Sequence, residues 1–292
     1  MSQKRADLRN RSRVFRAMNF ISRHIETPPP LETVAQESAT SPYHLHRLFR
    51  QLTGETLLTF TRRLQMERAR KHLLFGKRSV TVIAIKCGFS SSQNFAKAFR
   101  QFYGETPSAY RLRHHAPISK NGNASQDAAP YTALTVPLPA VSVREVPART
   151  VLYARELAAY GKDACARAYA ALCTQLGFKP DFASHQVVAL YWDHPLITDA
   201  VHCRTDLCIE VDERLVKAHP SCPSQQVPGG RYAVFDCEIH GQEQFAFAWQ
   251  YAVDWLQERQ HKLADQPAYE LYQAGTELDS EYYRVAIYLP IR

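Results

Sequence analysis

The chain has 292 residues, 36 Lys and Arg against 28 Asp and Glu, and a formal net charge of +8. That length predicts two domains. Seven cysteines with no Cys-x-x-Cys pair exclude a paired-cysteine zinc site, and no apolar run reaches the ~18 residues of a membrane helix. The polar opening Met1-Ser-Gln-Lys-Arg5 predicts no signal peptide, and with it a cytoplasmic chain with reduced thiols.

The first organised stretch is Leu31 to Ser38, which predicts a short helix followed by a turn through Ala39-Thr40. Ser41 as N-cap and Pro42 at the first helical position then predict a helix to about Leu52. Leu57 to Leu74 holds no Gly or Pro and has apolar residues at Leu57, Phe60, Leu64, Leu73 and Leu74. It predicts one helix of roughly 27 Å at 1.5 Å per residue. From Ile83 to Arg100 the pattern returns as a short helix, a tight turn at Gly88 and a second helix capped by serine. Ser92, Gln93, Ala96, Lys97 and Arg100 form the polar side of that helix, and Phe95 and Phe99 its buried side.

The two stretches repeat at a fixed offset. Phe49-Arg50-Gln51 matches Phe99-Arg100-Gln101, and Gly54-Glu55-Thr56 matches Gly104-Glu105-Thr106. Ala35 corresponds to Ala84 one residue closer, so the second turn is one residue longer. One supersecondary unit is used twice. Residues 1–120 hold 22 Lys and Arg and 7 Asp and Glu, a net of +15, whereas residues 121–292 hold 14 and 21, a net of −7. A basic half carrying two helix-turn-helix units is the footprint of a phosphate-binding surface, and argues against a plain helical bundle.

Ile83-Ala84, Gly88-Phe89, Phe95, Phe99-Arg100, Gly104, Pro107 and Tyr110-Arg111 make residues 12–113 resemble the DNA-binding domain of the AraC/XylS family of transcriptional regulators. The first unit departs at Ala39, where such turns often carry Gly. The resemblance implies that the second helix of each unit enters the major groove of double-stranded DNA. The outward positions are then Pro42, Tyr43, His46, Arg47 and Arg50 in the first unit and Ser92, Gln93, Ala96, Lys97 and Arg100 in the second. Arg47 suits guanine, Gln93 suits adenine, Ala96 a thymine methyl, and Lys97 a guanine or a phosphate. Arg62, Arg63, Arg68, Arg70 and Lys71, with Arg111 and Arg113, are expected to neutralise the backbone or to be solvated surface charges. Two reading units in one chain leave no need for a dimer, so a monomer is expected.

Ala116 to Pro130 is small, polar and aperiodic, and predicts a flexible linker. The expected domains are therefore an all-α domain over 1–115 with two helix-turn-helix units joined by a long helix, a linker over 116–136, and a second domain over 137–292. In the second, strands are predicted at Val141–Val146, Val151–Ala154, Gln186–Trp192 and Arg204–Val211, with a helix over Ala164–Leu176. The order recurs: strand Tyr232–Ile239, helix Gln244–Gln260, strands Tyr269–Gln273 and Tyr282–Leu289. This is an α+β domain of two tandem β-α-β-β units.

Tyr191-Trp-Asp-His-Pro195, Pro228-Gly-Gly-Arg-Tyr-Ala233, Pro267-Ala-Tyr-Glu-Leu-Tyr272 and Ile287-Tyr-Leu-Pro-Ile291 make this half resemble the GyrI-like effector-binding domain. The resemblance implies a cleft for a small molecule, often cationic or aromatic. Tyr153, Tyr191, Trp192, Tyr232, Trp249, Tyr272 and Tyr288 are its expected walls, with Phe235 among the aromatic candidates, and Glu270 is its expected negative charge. Any single strand aromatic is more often core than pocket. Relatives commonly carry a glutamate where Ala286 stands, so one expected acidic group is missing and the ligand's charge stays open. No Ser-His-Asp or Cys-His arrangement and no defensible metal-ligand spacing is present, so no enzyme, metal or cofactor is expected. The alternatives are a hydrolase with Glu270 as general base, and a domain that only docks a protein such as RNA polymerase.

Overall fold

The computed structural model describes residues 2–114, 138–241, 243–276 and 281–292. The segment expected to be the linker, 116–136, lies outside them. The chain divides into two compact units, Met1–Ala129 and Pro130–Arg292.

The first unit runs α1 (Ser2–Arg23), α2 (Leu31–Glu37), α3 (Pro42–Thr53), α4 (Leu57–Phe75), α5 (Val80–Lys86), α6 (Ser92–Tyr103) and α7 (Pro107–His114). Helix α1 has no counterpart in the sequence expectations. Its apolar stripe of Val14, Phe15, Met18 and Ile21, all buried, packs it onto the first helix-turn-helix. Side-chain oxygens cap α3, α4 and α6: Ser41 accepts from the His44 N–H at 3.3 Å, Thr56 from Thr59 at 3.1 Å and Ser91 from Asn94 at 3.1 Å.

The repeat extends into tertiary contacts. Gly54 and Gly104 end α3 and α6 at φ 76° and 79°. Phe49 meets Phe60 edge-on at 5.3 Å, and Phe99 meets Tyr110 edge-on at 5.6 Å. Glu55 pairs with Arg63, and fifty residues later Glu105 pairs with Arg113. Helix α7 is thus a shortened copy of the first half of α4. Helix α4 itself serves both units, with Phe60 under α3 and Met66, Ala69 and Leu73 in the core formed with Ile83, Phe95 and Phe99. One uninterrupted helix in two cores makes the pair mechanically continuous.

The second unit contains an eight-stranded antiparallel sheet in the order β1-β6-β8-β7-β3-β4-β2-β5. Its strands are β1 (Ala140–Val146), β2 (Arg149–Leu157), β3 (Val187–Tyr191), β4 (Arg204–Glu210), β5 (Ser224–Val227), β6 (Gly230–His240), β7 (Ala268–Tyr272) and β8 (Tyr282–Pro290). Helix α8 (Lys162–Leu176) packs over β2 and β4, and α10 (Glu243–Glu258) over β6 and β8. The short α9 (Glu213–Ala218) and the polar edge strand β5 are additions to the expected elements, too short and too polar for periodicity to reveal.

Strand register sorts the side chains into two faces. Phe235, Ile287, Glu270, Ala189 and Leu207 lie in one row under the helices. Val234, Tyr288, Tyr269, Leu190 and Asp206 form the neighbouring row on the opposite face.

Candidate DNA-reading surface and a buried acidic site

On α3 the core takes Leu45, Leu48 and Phe49, which leaves Tyr43, His46, Arg47 and Arg50 exposed and Pro42 half-buried. Tyr43 is 82% exposed, unusual for an aromatic residue with nothing to cover it. Arg47 lies 3.4 Å from the His44 ring nitrogen. On α6, Phe95 and Phe99 are buried, Gln93, Lys97 and Arg100 are exposed, and Ser92 and Ala96 are half-buried. Arg50 and Arg100 stand in the last turns of their helices, where a cation also complements the C-terminal dipole.

The basic residues of the connecting helix do not form one free strip. Arg63 is buried and held by Glu55 at 2.5 Å and Glu67 at 3.1 Å, and Arg68 by Glu26 at 2.7 Å. Arg70 donates to the Tyr110 hydroxyl at 2.6 Å, and Arg111 to the Arg78 carbonyl at 2.7 Å. Arg113 is paired to Glu105. Arg62 differs: it is exposed, with its guanidinium 4.9 Å from the Phe89 ring centre.

In the second unit the expected pocket residues separate into two groups. Glu270 is 2% exposed on β7. Its Oε2 accepts from Tyr191 and from Tyr272, each at 2.8 Å, and its Oε1 from the Trp249 indole N–H at 2.7 Å. Trp249 arrives from α10. From α8 comes Cys165, whose sulfur is 3.7 Å from the Tyr191 hydroxyl. Phe182 and Tyr160 complete the aromatic surround, 6.1 Å from Tyr272 and 5.0 Å from Tyr191. Burial raises the Glu270 carboxyl above its usual range, and the hydrogen bonds from Trp249, Tyr191 and Tyr272 oppose that rise. Burial likewise holds both tyrosine hydroxyls well above their ordinary value, and pushes the Cys165 thiol up to about 12. Tyr191, Tyr272 and Cys165 are therefore neutral at physiological pH.

Tyr153, Trp192, Tyr232 and Tyr288 do not belong to this group, which corrects the expectation of a single eight-residue pocket. Register places Tyr153, Tyr232 and Tyr288 on the other face of the sheet. There Tyr288 stacks on Tyr269 at 4.4 Å and Tyr232 meets Tyr269 at 5.4 Å. Trp192 donates to Asp206 at 2.7 Å, and Asp206 is paired with Arg155 in an ion pair with no solvent exposure. Phe235 is on the helix side, but packs on Trp255 in the α10 core. Ala286 also falls on the far face, beside Leu271 and Asp236. It therefore removes no carboxylate from the Glu270 cluster.

Sequence reasoning missed Cys165, Tyr160 and Phe182. Cys165 sits in an alanine-rich turn of α8, and no spacing rule links it to β3 or β7. Among the described residues no group of three His, Cys, Asp or Glu side chains is placed to hold a metal, and no helix is long and apolar enough to cross a membrane.

Residues 34–113 match the family model for a helix-turn-helix domain, and residues 139–292, which are 154 of 292, match the GyrI-like small molecule binding domain. The chain is 35% identical over 94 residues to regulatory protein SoxS of Escherichia coli (strain K12), covering 32% of this chain and 88% of that protein. It is 40% identical over 82 residues to the HTH-type transcriptional activator AarP of Providencia stuartii, covering 28% and 61%. Among solved structures, an AraC-type transcriptional regulator from Chromobacterium violaceum aligns at 28% identity with a TM-score of 0.34, over 36% of this chain and 94% of that one. The chain belongs to the AraC/XylS-type helix-turn-helix transcriptional regulators and carries a C-terminal GyrI-like small molecule binding domain.

Proposed function

We propose that the protein is a one-component transcriptional activator that reads a bipartite DNA site with α3 and α6 and is modulated by a small molecule held near Glu270. The observation that carries the first part is the duplicated presentation of two amphipathic helices. Each has two or three core residues on one side and exposed polar or basic residues on the other, with α4 sharing both cores. Arg47 and Gln93 are the base readers, with Pro42, Tyr43, His46, Ser92 and Ala96 lining the same surfaces. Arg50 and Arg100, in the last turns, contact phosphate. A covalent pair of readers lets a monomer occupy the site. The activator role follows the printed function of AarP, the similar regulator.

For the second part, β3 and β7 pair in the middle of the sheet, with α8 over β2 and β4 on one side and α10 over β6 and β8 on the other. The surface over β3 and β7 between those helices is where Tyr191, Trp249, Glu270 and Tyr272 converge. Aromatic walls around a buried carboxylate favour a flat cation. Both carboxylate oxygens already accept hydrogen bonds from three donors, which favours binding over general-base catalysis.

The test is selection of sites from random duplexes by the full chain, followed by base-interference mapping. Two clusters of essential bases about one helical turn apart are expected. A single cluster overturns the bipartite reading. Titrating planar organic cations by calorimetry, with Glu270→Gln as control, tests the effector site. Equal binding by both proteins overturns its assignment.

A further inference from the structure

At the repeat's offset, α3 carries Arg47 where α6 carries Lys97, and His44 where α6 carries Asn94. In α3 these two side chains meet. A guanidinium N–H of Arg47 donates to Nδ1 of His44 at 3.4 Å, across one turn of the helix. Arginine has donors and no acceptor, so the contact needs the Nδ1 lone pair and puts the imidazole proton on Nε2. It takes one N–H of the guanidinium and leaves the rest of the fork for a base. In α6 the equivalent side chain turns the other way: Asn94 donates to Ser90 Oγ at 3.1 Å.

His44 is a firm support. It is half-buried beside the fully buried Leu45, and its backbone N–H donates to the Ser41 cap at 3.3 Å. Pro42 at the start of the helix fixes that turn further. Arg47 is exposed, and among the described residues it pairs with no carboxylate, which leaves His44 as its hydrogen-bond partner. Helices α1, α2 and α4 pack against α3. Among the described residues, none of their charged or titratable side chains bonds to the His44 ring. Arg47 is the charged group that meets it, with His46 and Arg50 exposed elsewhere on α3.

We propose that His44 is a positioning residue that holds the Arg47 guanidinium ready for its base, and that protonation of His44 lets it go. The inference rests on Arg47 as a base reader. A loose arginine loses side-chain entropy when it docks, and a contact made before DNA arrives removes much of that loss. An imidazolium offers no lone pair at Nδ1 and repels the guanidinium. Acid therefore lowers discrimination at the bases read by α3 and leaves the bases read by α6 untouched, since Asn94 does not titrate.

The experiment uses the full chain, the selected duplex, and duplexes changed at one base in either cluster. Anisotropy titrations run from about pH 8 to about pH 5, the span over which histidines change charge. The readout is the affinity ratio between selected and changed duplex, because added positive charge strengthens both complexes alike. At the α3 cluster the ratio is expected to fall by roughly 2- to 10-fold as pH falls, the share of one ordered side chain. At the α6 cluster it stays level. His44→Asn puts an amide oxygen where Nδ1 stands, so its ratio is expected to stay high at every pH, and that of His44→Ala to stay low. His46→Gln keeps the profile of the natural protein, which separates the two histidines. A ratio at the α3 cluster that ignores pH overturns the proposal, and so does a profile that survives in His44→Asn. If Arg47→Ala weakens selected and changed duplexes equally, the base reading itself fails and takes the proposal with it. Should His44→Ala disturb the cap, the natural protein against His44→Asn decides.

Discussion

Glu270 offers a sharp test, because the structure separates its shape from its charge. In Glu270→Ala the hydroxyls of Tyr191 and Tyr272 and the Trp249 indole N–H lose their acceptor inside the domain. Each buried donor left unmade costs about 1–3 kcal/mol. The two hydroxyls rotate toward other acceptors, but the indole N–H is fixed by its ring, so it bears the full penalty. Adding the vacated volume and subtracting the relief of a desolvated charge gives a net loss of about 2–4 kcal/mol. Glu270→Gln keeps the shape and an oxygen for Trp249, while its amide donates to the freely rotating hydroxyls. It is expected to stay within about 1 kcal/mol of the natural protein at neutral pH.

All three tryptophans, Trp192, Trp249 and Trp255, belong to the second unit, so tryptophan fluorescence in a urea titration reports on that unit alone. The folded-state pKa of Glu270 is raised, so the folded state holds its proton more tightly than the unfolded chain does. Stability attributable to Glu270 is thus greatest at low pH. It declines as pH rises from the unfolded carboxylate range, about 4.3, through the folded value. The stability of Glu270→Gln minus that of the natural protein is therefore small at low pH, rises across that window and then levels off. Equal destabilisation by Gln and Ala refutes the argument from shape, and a pH-independent difference refutes the argument from burial.

Arg47→Ala is expected to weaken binding to the selected site by ~1–3 kcal/mol and to blur one base preference in anisotropy titrations, and an equal fall on random DNA removes its base-reading role. Ala39 holds φ 50°, a left-handed conformation costly for a residue with a Cβ, whereas the equivalent Gly88 sits at φ 79°. Ala39→Gly should stabilise the first unit by about 0.5–1 kcal/mol and Gly88→Ala should destabilise it by roughly 1–3 kcal/mol, both read from helical circular dichroism during denaturation. The duplicated ion pairs differ in burial: Arg63 and Glu55 side chains are 7% and 8% exposed, while Arg113 and Glu105 are 64% and 20% exposed. Glu55→Ala is thus expected to cost about 3 kcal/mol and Glu105→Ala less than about 1 kcal/mol, and similar losses in denaturation midpoints contradict the reasoning.

Helices α3 and α6 were legible because each rule involved is local. Ser41-Pro42 announces the start of α3, Phe95 and Phe99 four apart define the buried side of α6, and identical tripeptides at an offset of fifty reveal the duplication. Helix α1 is written just as locally, in Val14, Phe15, Met18 and Ile21, but it lies outside the repeat. The acidic site was legible only in part. Tyr191, Glu270 and Tyr272 sit in adjacent strands, and their positions along each strand agree in parity only once the register is known. A shift of one residue sends a side chain to the other face, which is where the register puts Tyr153, Tyr232 and Tyr288.

The sequence by itself determined the family, the duplicated helix-turn-helix unit and the division of charge between a basic and an acidic half. These depend on spacing along one helix or on composition, both written in the order of residues. Tertiary structure decided which cations remain uncommitted. Arg62 and Arg63 are neighbours in the chain, yet one is exposed above Phe89 and the other is buried between Glu55 and Glu67. It also decided which aromatics surround Glu270, because strand pairing brings β3 and β7 together across about eighty residues of sequence. Such partners are selected by hydrogen-bond register and helix packing, and neither leaves a periodic trace in the chain.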